Sequence, residues 1–275
     1  MKHRITSVAA ALAFAAALPV SAQDAAGMPK WKGEIEPVSG FAGQMSMSME
    51  TDAPEEMVVE EVISFEPWQM LDDLFRDDLV FIMRGGPSEW DVRDAPGTAP
   101  SDCEDQRLLT ETGQDQMRQL GALLIVNGLR PGEVLLSQWC RAQQTYLGLE
   151  EGMLEADMNA LDGVEARVDA ALNPLGKLAG PEDAEALREM VMAWDGKDAG
   201  GPLLLITHFD NIVELTRFRV YEGEVLILDP TRDGRVLGYL RLGSAGPDAV
   251  RFDPDVVAFA REGVSPEDDD AEAAD

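Results

Sequence analysis

Histidine is almost absent from this chain: among 275 residues there are only His3 and His208. His3 falls in an N-terminal leader, so chemistry needing two imidazoles in one folded site is excluded. Basic residues are also scarce, 22 Lys and Arg against 52 Asp and Glu, for a formal charge of −30. A field of that sign repels polyphosphate backbones and anionic lipid, which excludes nucleic acid and acidic membranes as natural partners. It also repels phosphorylated small molecules unless a local cluster of arginines reverses it. Cysteine is limited to Cys103 and Cys140, too few for a disulfide-dense scaffold. No apolar run is long enough to span a bilayer, so no stable membrane span is expected.

The longest apolar run is Val8 to Leu18, inside the opening MKHRITSVAAALAFAAALPVSAQ. Lys2 and Arg4 precede it and the small-residue site Val20-Ser21-Ala22 follows. This is the form of a secretory signal peptide, residues 1–22, cleaved after Ala22. A periplasmic or secreted protein is expected, and loss of Lys2 and Arg4 takes the charge from −30 to −32. In an oxidising compartment the two cysteines allow one disulfide, Cys103–Cys140; the alternative is two buried thiols.

Residues 23–66 are rich in Gly, Pro, Ser, Met and Glu without sustained periodicity, and read as an N-terminal arm or linker. The end, SPEDDDAEAAD, has nothing to bury, so 263–275 reads as an acidic disordered tail. Between them, residues 67–262 form the domain. Leu79 to Met83 is an all-apolar strand. Thr110 caps a helix carrying Met117, Leu120, Leu123 and Leu124, which Gly128 stops. A strand from Glu133 to Ser137 and a helix from Cys140 to Leu149 follow. Pro181 opens a further helix reaching Gly196. Leu203 to Thr207 is a buried strand, and a helix starts near Asn211. Val225 to Leu228 and Val236 to Leu242 are the last strands. Alternating buried strands and helices define an α/β protein, a three-layer sandwich of a mainly parallel sheet flanked by helices. In such a sheet the ligand site lies beyond the carboxyl ends of the strands.

Three of those strand ends carry polar groups. Arg84 follows the first strand, Arg141 lies in SQWCRAQQT (137–145) after the second, and His208 ends the third. Two guanidiniums and an imidazole converging on one edge make a pocket for phosphate or another oxyanion. The ligand is then a phosphorylated small molecule or inorganic phosphate, with no cofactor and no resident metal expected.

Five segments occur in a recognisable order: Arg84-Gly85-Gly86, QRLLTETG (106–113), SQWCRAQQT, LLLITH (203–208) and YEGEVLILDP (221–230). Together, over roughly residues 68–245, they resemble the histidine phosphatase superfamily of phosphoglycerate mutase-like fold, in its exported bacterial branch. The resemblance implies a phosphate clamp of Arg84 and Arg141, a second histidine at His208, and the motif glycine at Gly86. Arg107 adds a third positive charge at the mouth. The family's nucleophile is the histidine of Arg-His-Gly, and Gly85 stands in its place. A phosphohistidine route is therefore closed, and a pseudoenzyme with a phosphate-binding pocket, inactive or strongly impaired as a phosphomonoesterase, is expected. The alternatives are an anion-binding scaffold or a water-mediated phosphatase using His208. The proton donor is unassigned: Asn173 stands where an acid is often found, and Glu89, Asp91 and Asp210 lie nearby in sequence. Met45, Met47 and Met49 alternate within QMSMSMETD, and this reads as a Met-rich face packing on the domain, with Cu(I) as the alternative. Zinc held by Cys103, Cys140 and His208 is a weaker alternative, since nothing has metal-ligand spacing.

Overall fold

The computed structural model describes residues 30–37, 43–50, 57–66, 74–89 and 91–242. The leader, the tail and the domain limit at residue 262 lie outside them. The chain order is β1 (Lys30–Pro37), β2 (Gly43–Glu50), β3 (Met57–Glu66), β4 (Val80–Arg84), α1 (Glu111–Val126), β5 (Glu133–Leu136), α2 (Cys140–Ala156), β6 (Glu165–Val168), α3 (Glu185–Ala193), β7 (Leu203–Thr207), α4 (Phe209–Thr216), β8 (Val225–Asp229) and β9 (Arg235–Leu242).

The strands form one sheet of order β1-β2-β3-β9-β8-β4-β7-β5-β6. Its centre is explained by residue alternation. Phe81 and Met83 of β4, Val134 and Leu136 of β5, Leu204 and Ile206 of β7, and Val225 and Ile227 of β8 point to one face. There they meet Met117, Leu120 and Leu123 of α1 and Leu149 and Met153 of α2. The intervening Val80, Ile82, Leu135, Leu203, Leu205, Leu226 and Leu228 bury against Leu187 and Val191 of α3 and Ile212 of α4. A strand that must be apolar on both sides reads as an unbroken hydrophobic run, which is why β4, β7 and β8 stand out in the sequence. The expected three-layer α/β sandwich is thus present. Pairings β4–β7, β7–β5 and β5–β6 are parallel, while β8 reverses beside β4 and β9 beside β8.

The segment read as an arm or linker differs from expectation where it is described. Residues 30–37, 43–50 and 57–66 are three antiparallel strands, and β3 joins β9 from Ile63↔Leu242 to Glu66↔Tyr239. The methionines explain why sequence periodicity missed them. Met45 and Met47 are fully or almost fully buried in the same core as α1, while Trp31 and Ile35 pack on it from β1. Thioethers, with serines between them, fill this surface instead of the β-branched residues that mark strands. The side chain of Met49 lies outside the described set. For Met45 and Met47 the core reading replaces copper.

The helix boundaries have local causes. Thr110 Oγ1 accepts the Gly113 N–H at 2.9 Å, closing the start of α1. Gly128, at φ +78°, ends it by turning into the left-handed region. The helix expected from Pro181 begins only at Glu185. Asp183 Oδ1 accepts the Glu185 N–H at 3.0 Å and holds the chain in a turn until then. That helix also ends at Ala193, short of Gly196. β6 was not expected; its side chains are exposed, so it has no apolar pattern. Among the described residues no helix is long and apolar enough to cross a membrane.

Candidate functional site

The parallel pairing decides where the polar strand ends go. β4 and β7 run side by side with Arg84 opposite Thr207, and β5 flanks β7 with Leu136 opposite Ile206. Arg84, His208 and the Ser137–Arg141 turn therefore leave the sheet at one carboxyl edge. They surround a cavity of about 250 Å³ whose lining includes Arg84, Gly85, Gly86, Arg107, Arg141 and His208. The three arginines, the two glycines and the histidine singled out in the sequence are all on it, as is Asp210 among the proton-donor candidates. Arg93 and Lys177 join them, against only two lining carboxylates, Asp210 and Glu222, so the pocket reverses the sign of the surrounding protein. Neither Arg93 nor Lys177 has an ion pair among the described residues.

The arginines are braced. Arg84 is buried, with Nη1 donating to the Val220 carbonyl at 3.2 Å and Nη2 to Glu222 Oε1 at 3.0 Å. Its guanidinium lies 5.3 Å from the centre of the Phe209 ring. Arg107 Nη2 reaches the same Glu222 Oε1 at 3.4 Å. Arg141 Nη1 bonds both oxygens of Asp94 at 3.0 and 3.2 Å, and its guanidinium lies 5.0 Å from the Trp139 ring centre. Burial pushes the Arg141 guanidinium below its ordinary value; Arg107 and Arg84 add to this, while Asp94 opposes it. Asp94 Oδ1 also accepts the backbone N–H of Arg107 at 2.9 Å, so one carboxylate positions two of the three arginines.

The loop holding Asp94 and Arg107 is tied to α2 by the Cys103–Cys140 disulfide, which spans 37 residues and is adjacent to Arg141. Gln106 continues the tie by accepting the Cys140 N–H at 3.0 Å. With both sulfurs in the bridge, the zinc set of Cys103, Cys140 and His208 does not exist. Among the described residues no group of three His, Cys, Asp or Glu is placed to hold a metal.

Gly85 and Gly86 differ in what they permit. A Cβ on Gly86 would come within 2.7 Å of Met117 Cγ and 3.1 Å of Leu109 Cδ2, so glycine there is a packing requirement. A Cβ on Gly85 would meet Thr145 Oγ1 at 3.3 Å and the Arg141 carbonyl at 3.9 Å, with backbone in the ordinary region. A side chain at residue 85 needs only a small movement of one hydroxyl. Thr145 is held by accepting the Gly86 N–H at 2.9 Å and donating to the Arg141 carbonyl at 2.7 Å.

His208 is buried, with Nε2 2.8 Å from Ser137 Oγ. Burial holds its pKa well below 6.5, and the charges of Arg141, Arg84 and Arg107 act in the same direction. The imidazole is therefore neutral at pH 7. The candidates for a proton donor separate. Asn173 is fully buried and committed to Ser137, Gln138 and Ala179, which makes it structural. Glu89 and Asp91 are exposed and do not line the cavity, whereas Asp210 does.

Glu222, Asp94, Ser137 and Thr145 were not assigned from the sequence. Glu222 sits within YEGEVLILDP, and Ser137 and Thr145 bound SQWCRAQQT, but no spacing marks which members of those segments face a ligand. β8 runs antiparallel to β4, with Val225 beside Met83, and this brings the loop before β8 to the same edge. Asp94 has no sequence signal; the disulfide loop places it.

Fold and pocket together define an α/β protein with a cationic cavity at the carboxyl edge of its parallel strands. No family model matches the sequence, and no curated protein matches it. Among solved structures the chain is similar to the protein histidine phosphatase SixA complexed with tungstate, at 21% identity and TM-score 0.40, over 59% of this chain and 94% of that one. It is also similar to the mycobacterial glucosyl-3-phosphoglycerate phosphatase Rv2419c in complex with VO3, at 17% identity and TM-score 0.36, over 62% and 99%. A third is the ecdysone phosphate phosphatase from Bombix mori in complex with tungstate, at 15% identity and TM-score 0.39, over 65% and 98%. Residue roles rest on this chain's own geometry.

Proposed function

We propose that this chain is an exported protein of histidine phosphatase type that binds inorganic phosphate or a phosphate monoester and has lost, or nearly lost, its hydrolysis. The observation that carries the reading is the cavity itself: Arg84, Arg107 and Arg141 converge with a neutral His208 around Gly85, which has no side chain to attack phosphorus. The guanidiniums supply charge-assisted hydrogen bonds to the phosphoryl oxygens, and Arg93 and Lys177 draw an anion through an otherwise repulsive field. Without a nucleophile only positioning and electrostatics remain, and those leave a small residue of the normal rate. Export rests on the leader at 1–22, with the Cys103–Cys140 bridge suited to an oxidising compartment.

The test is calorimetric titration of the mature protein with inorganic phosphate, paired with aryl phosphate turnover. Saturable binding, lost in Arg141→Ala, with turnover at the buffer rate supports the reading; absence of binding sinks it. A second reading follows from one observation, the neutral His208 beside the open volume at Gly85. In it, His208 deprotonates a water that attacks the phosphoryl group directly. Turnover by the natural protein that disappears in His208→Ala would favour that reading.

A further inference from the structure

The neutrality of His208 has a direction, because the hydrogen bonds around it fix which nitrogen carries the proton. Asn173 is oriented by backbone groups: its Nδ2 donates to the Ala179 carbonyl at 2.8 Å and its Oδ1 accepts the Gln138 N–H at 2.9 Å. Ser137 Oγ lies 2.9 Å from that Oδ1, which can only accept, so the single serine hydrogen goes there. Ser137 Oγ also accepts the Trp139 N–H at 3.2 Å. Its remaining neighbour is His208 Nε2 at 2.8 Å, and serine has no second hydrogen to offer. Nε2 must therefore be the donor. In a neutral ring Nδ1 is then a bare lone pair, and it has no hydrogen-bond partner among the described residues.

A second acceptor stands in the same pocket. Glu222 Oε1 accepts from Ser88 Oγ at 2.8 Å as well as from Arg84 and Arg107, and its Oε2 accepts the Ser88 N–H at 3.2 Å. Its carboxylate has lone pairs and no hydrogen to give. A pocket built from guanidiniums alone would take any oxyanion of the right size. One that also holds an imidazole lone pair and a carboxylate repels an oxygen that has only lone pairs, and bonds one that carries a hydrogen.

Resting on the phosphate-pocket reading above, we propose that this site selects oxyanions bearing a hydrogen, namely hydrogen phosphate and singly protonated phosphate esters, over oxyanions without one, such as sulfate, with His208 Nδ1 accepting the P–OH hydrogen. Ser137 and Asn173 are positioning residues that hold the ring in the accepting tautomer. Glu222 adds to the discrimination as a second hydrogen-bond acceptor on the cavity lining.

The experiment compares inorganic phosphate with sulfate by calorimetry near pH 8, where both are dianions of similar size and only phosphate keeps a hydrogen. Phosphate is expected to bind tighter by about tenfold or more, since sulfate leaves a buried acceptor facing a lone pair. Ser137→Ala, which removes the acceptor for Nε2–H, is expected to narrow that ratio. Long-range proton–nitrogen NMR on the unaltered protein reads the His208 tautomer directly, whether or not the variant folds. Equal or tighter sulfate binding, or a proton found on Nδ1, overturns the selectivity while leaving the phosphate pocket intact. Failure of both anions to bind overturns the pocket reading and the selectivity together.

Discussion

Placing an imidazole at residue 85 is the most informative perturbation of this site. The structure sets the size of the insult. A Cβ at residue 85 falls 3.3 Å from Thr145 Oγ1, a few tenths of an ångström inside comfortable contact, and 3.9 Å from the Arg141 carbonyl. The backbone there is not left-handed, so replacing glycine also reduces the freedom of the unfolded chain, worth about 0.4–1 kcal/mol in favour of folding. Against this stands the small displacement of a threonine anchored at both hydrogen bonds. The two effects nearly cancel, and Gly85→His is expected to change unfolding stability by no more than about 1 kcal/mol, read from a urea midpoint. On activity the effect is one-sided. The ring enters a cavity already lined by Arg84, Arg107, Arg141 and His208. An aryl phosphate assay is then expected to show turnover at least about a hundredfold above the natural protein, corresponding to ~2.7 kcal/mol of barrier. Acid-labile, base-stable phosphate on the trapped variant would identify phosphohistidine. A folded variant that binds phosphate yet shows neither turnover nor covalent phosphate would refute the argument that only the nucleophile is missing.

Four further outcomes follow from the same geometry. Gly86→Ala forces a Cβ against Met117 and Leu109 and is expected to cost about 1–3 kcal/mol in chemical denaturation, in contrast to the tolerance at the neighbouring glycine. Arg84→Met leaves Glu222 with only Arg107 and Ser88, and should lower phosphate affinity by about tenfold or more while destabilising the fold by about 1–3 kcal/mol. Replacing both Cys103 and Cys140 by serine opens a loop spanning 37 residues; loop-closure entropy gives a loss of roughly 3–4 kcal/mol, and phosphate affinity should fall because Asp94 and Arg107 are on that loop. His208 is neutral when folded and can protonate when unfolded. The unfolded state thus binds the extra proton as pH falls below about 6.5, and stability drops from there toward the depressed folded pKa. His208→Gln should flatten that part of the urea midpoint against pH curve; an unchanged slope would mean the imidazole is not held neutral.

Much of the central fold was readable because β4, β7 and β8 are buried on both faces, and such strands must be written in continuous apolar residues. The cap at Thr110 and the stop at Gly128 were readable for the same kind of reason, since each is a local backbone requirement met by one residue type. The N-terminal strands were not. Met45 and Met47 carry their burial, and flexible thioethers give no strand signature until a partner surface on α1 is known. β6 is exposed on every side chain and leaves no pattern at all.

The candidate site divides along the same line. Arg84, Arg141 and His208 could be named from the sequence because Arg84 ends a buried strand, His208 directly follows one and Arg141 opens the helix after another, and parallel strands present their carboxyl ends to one edge. The absence of an imidazole at Gly85 is likewise a fact of the sequence, as is the presence of only one other histidine, His3, besides His208. The tertiary structure alone decided that Glu222 enters from the loop before the reversed β8, that Asp94 clamps Arg107 and Arg141 from a disulfide-tied loop, and that Ser137 meets His208 Nε2. The end of a strand buried on both faces is where its unbroken apolar run gives way to a polar residue, and a sequence displays that directly. Which carboxylate meets which guanidinium is fixed by where distant segments return, and a residue's neighbours in sequence carry no trace of it.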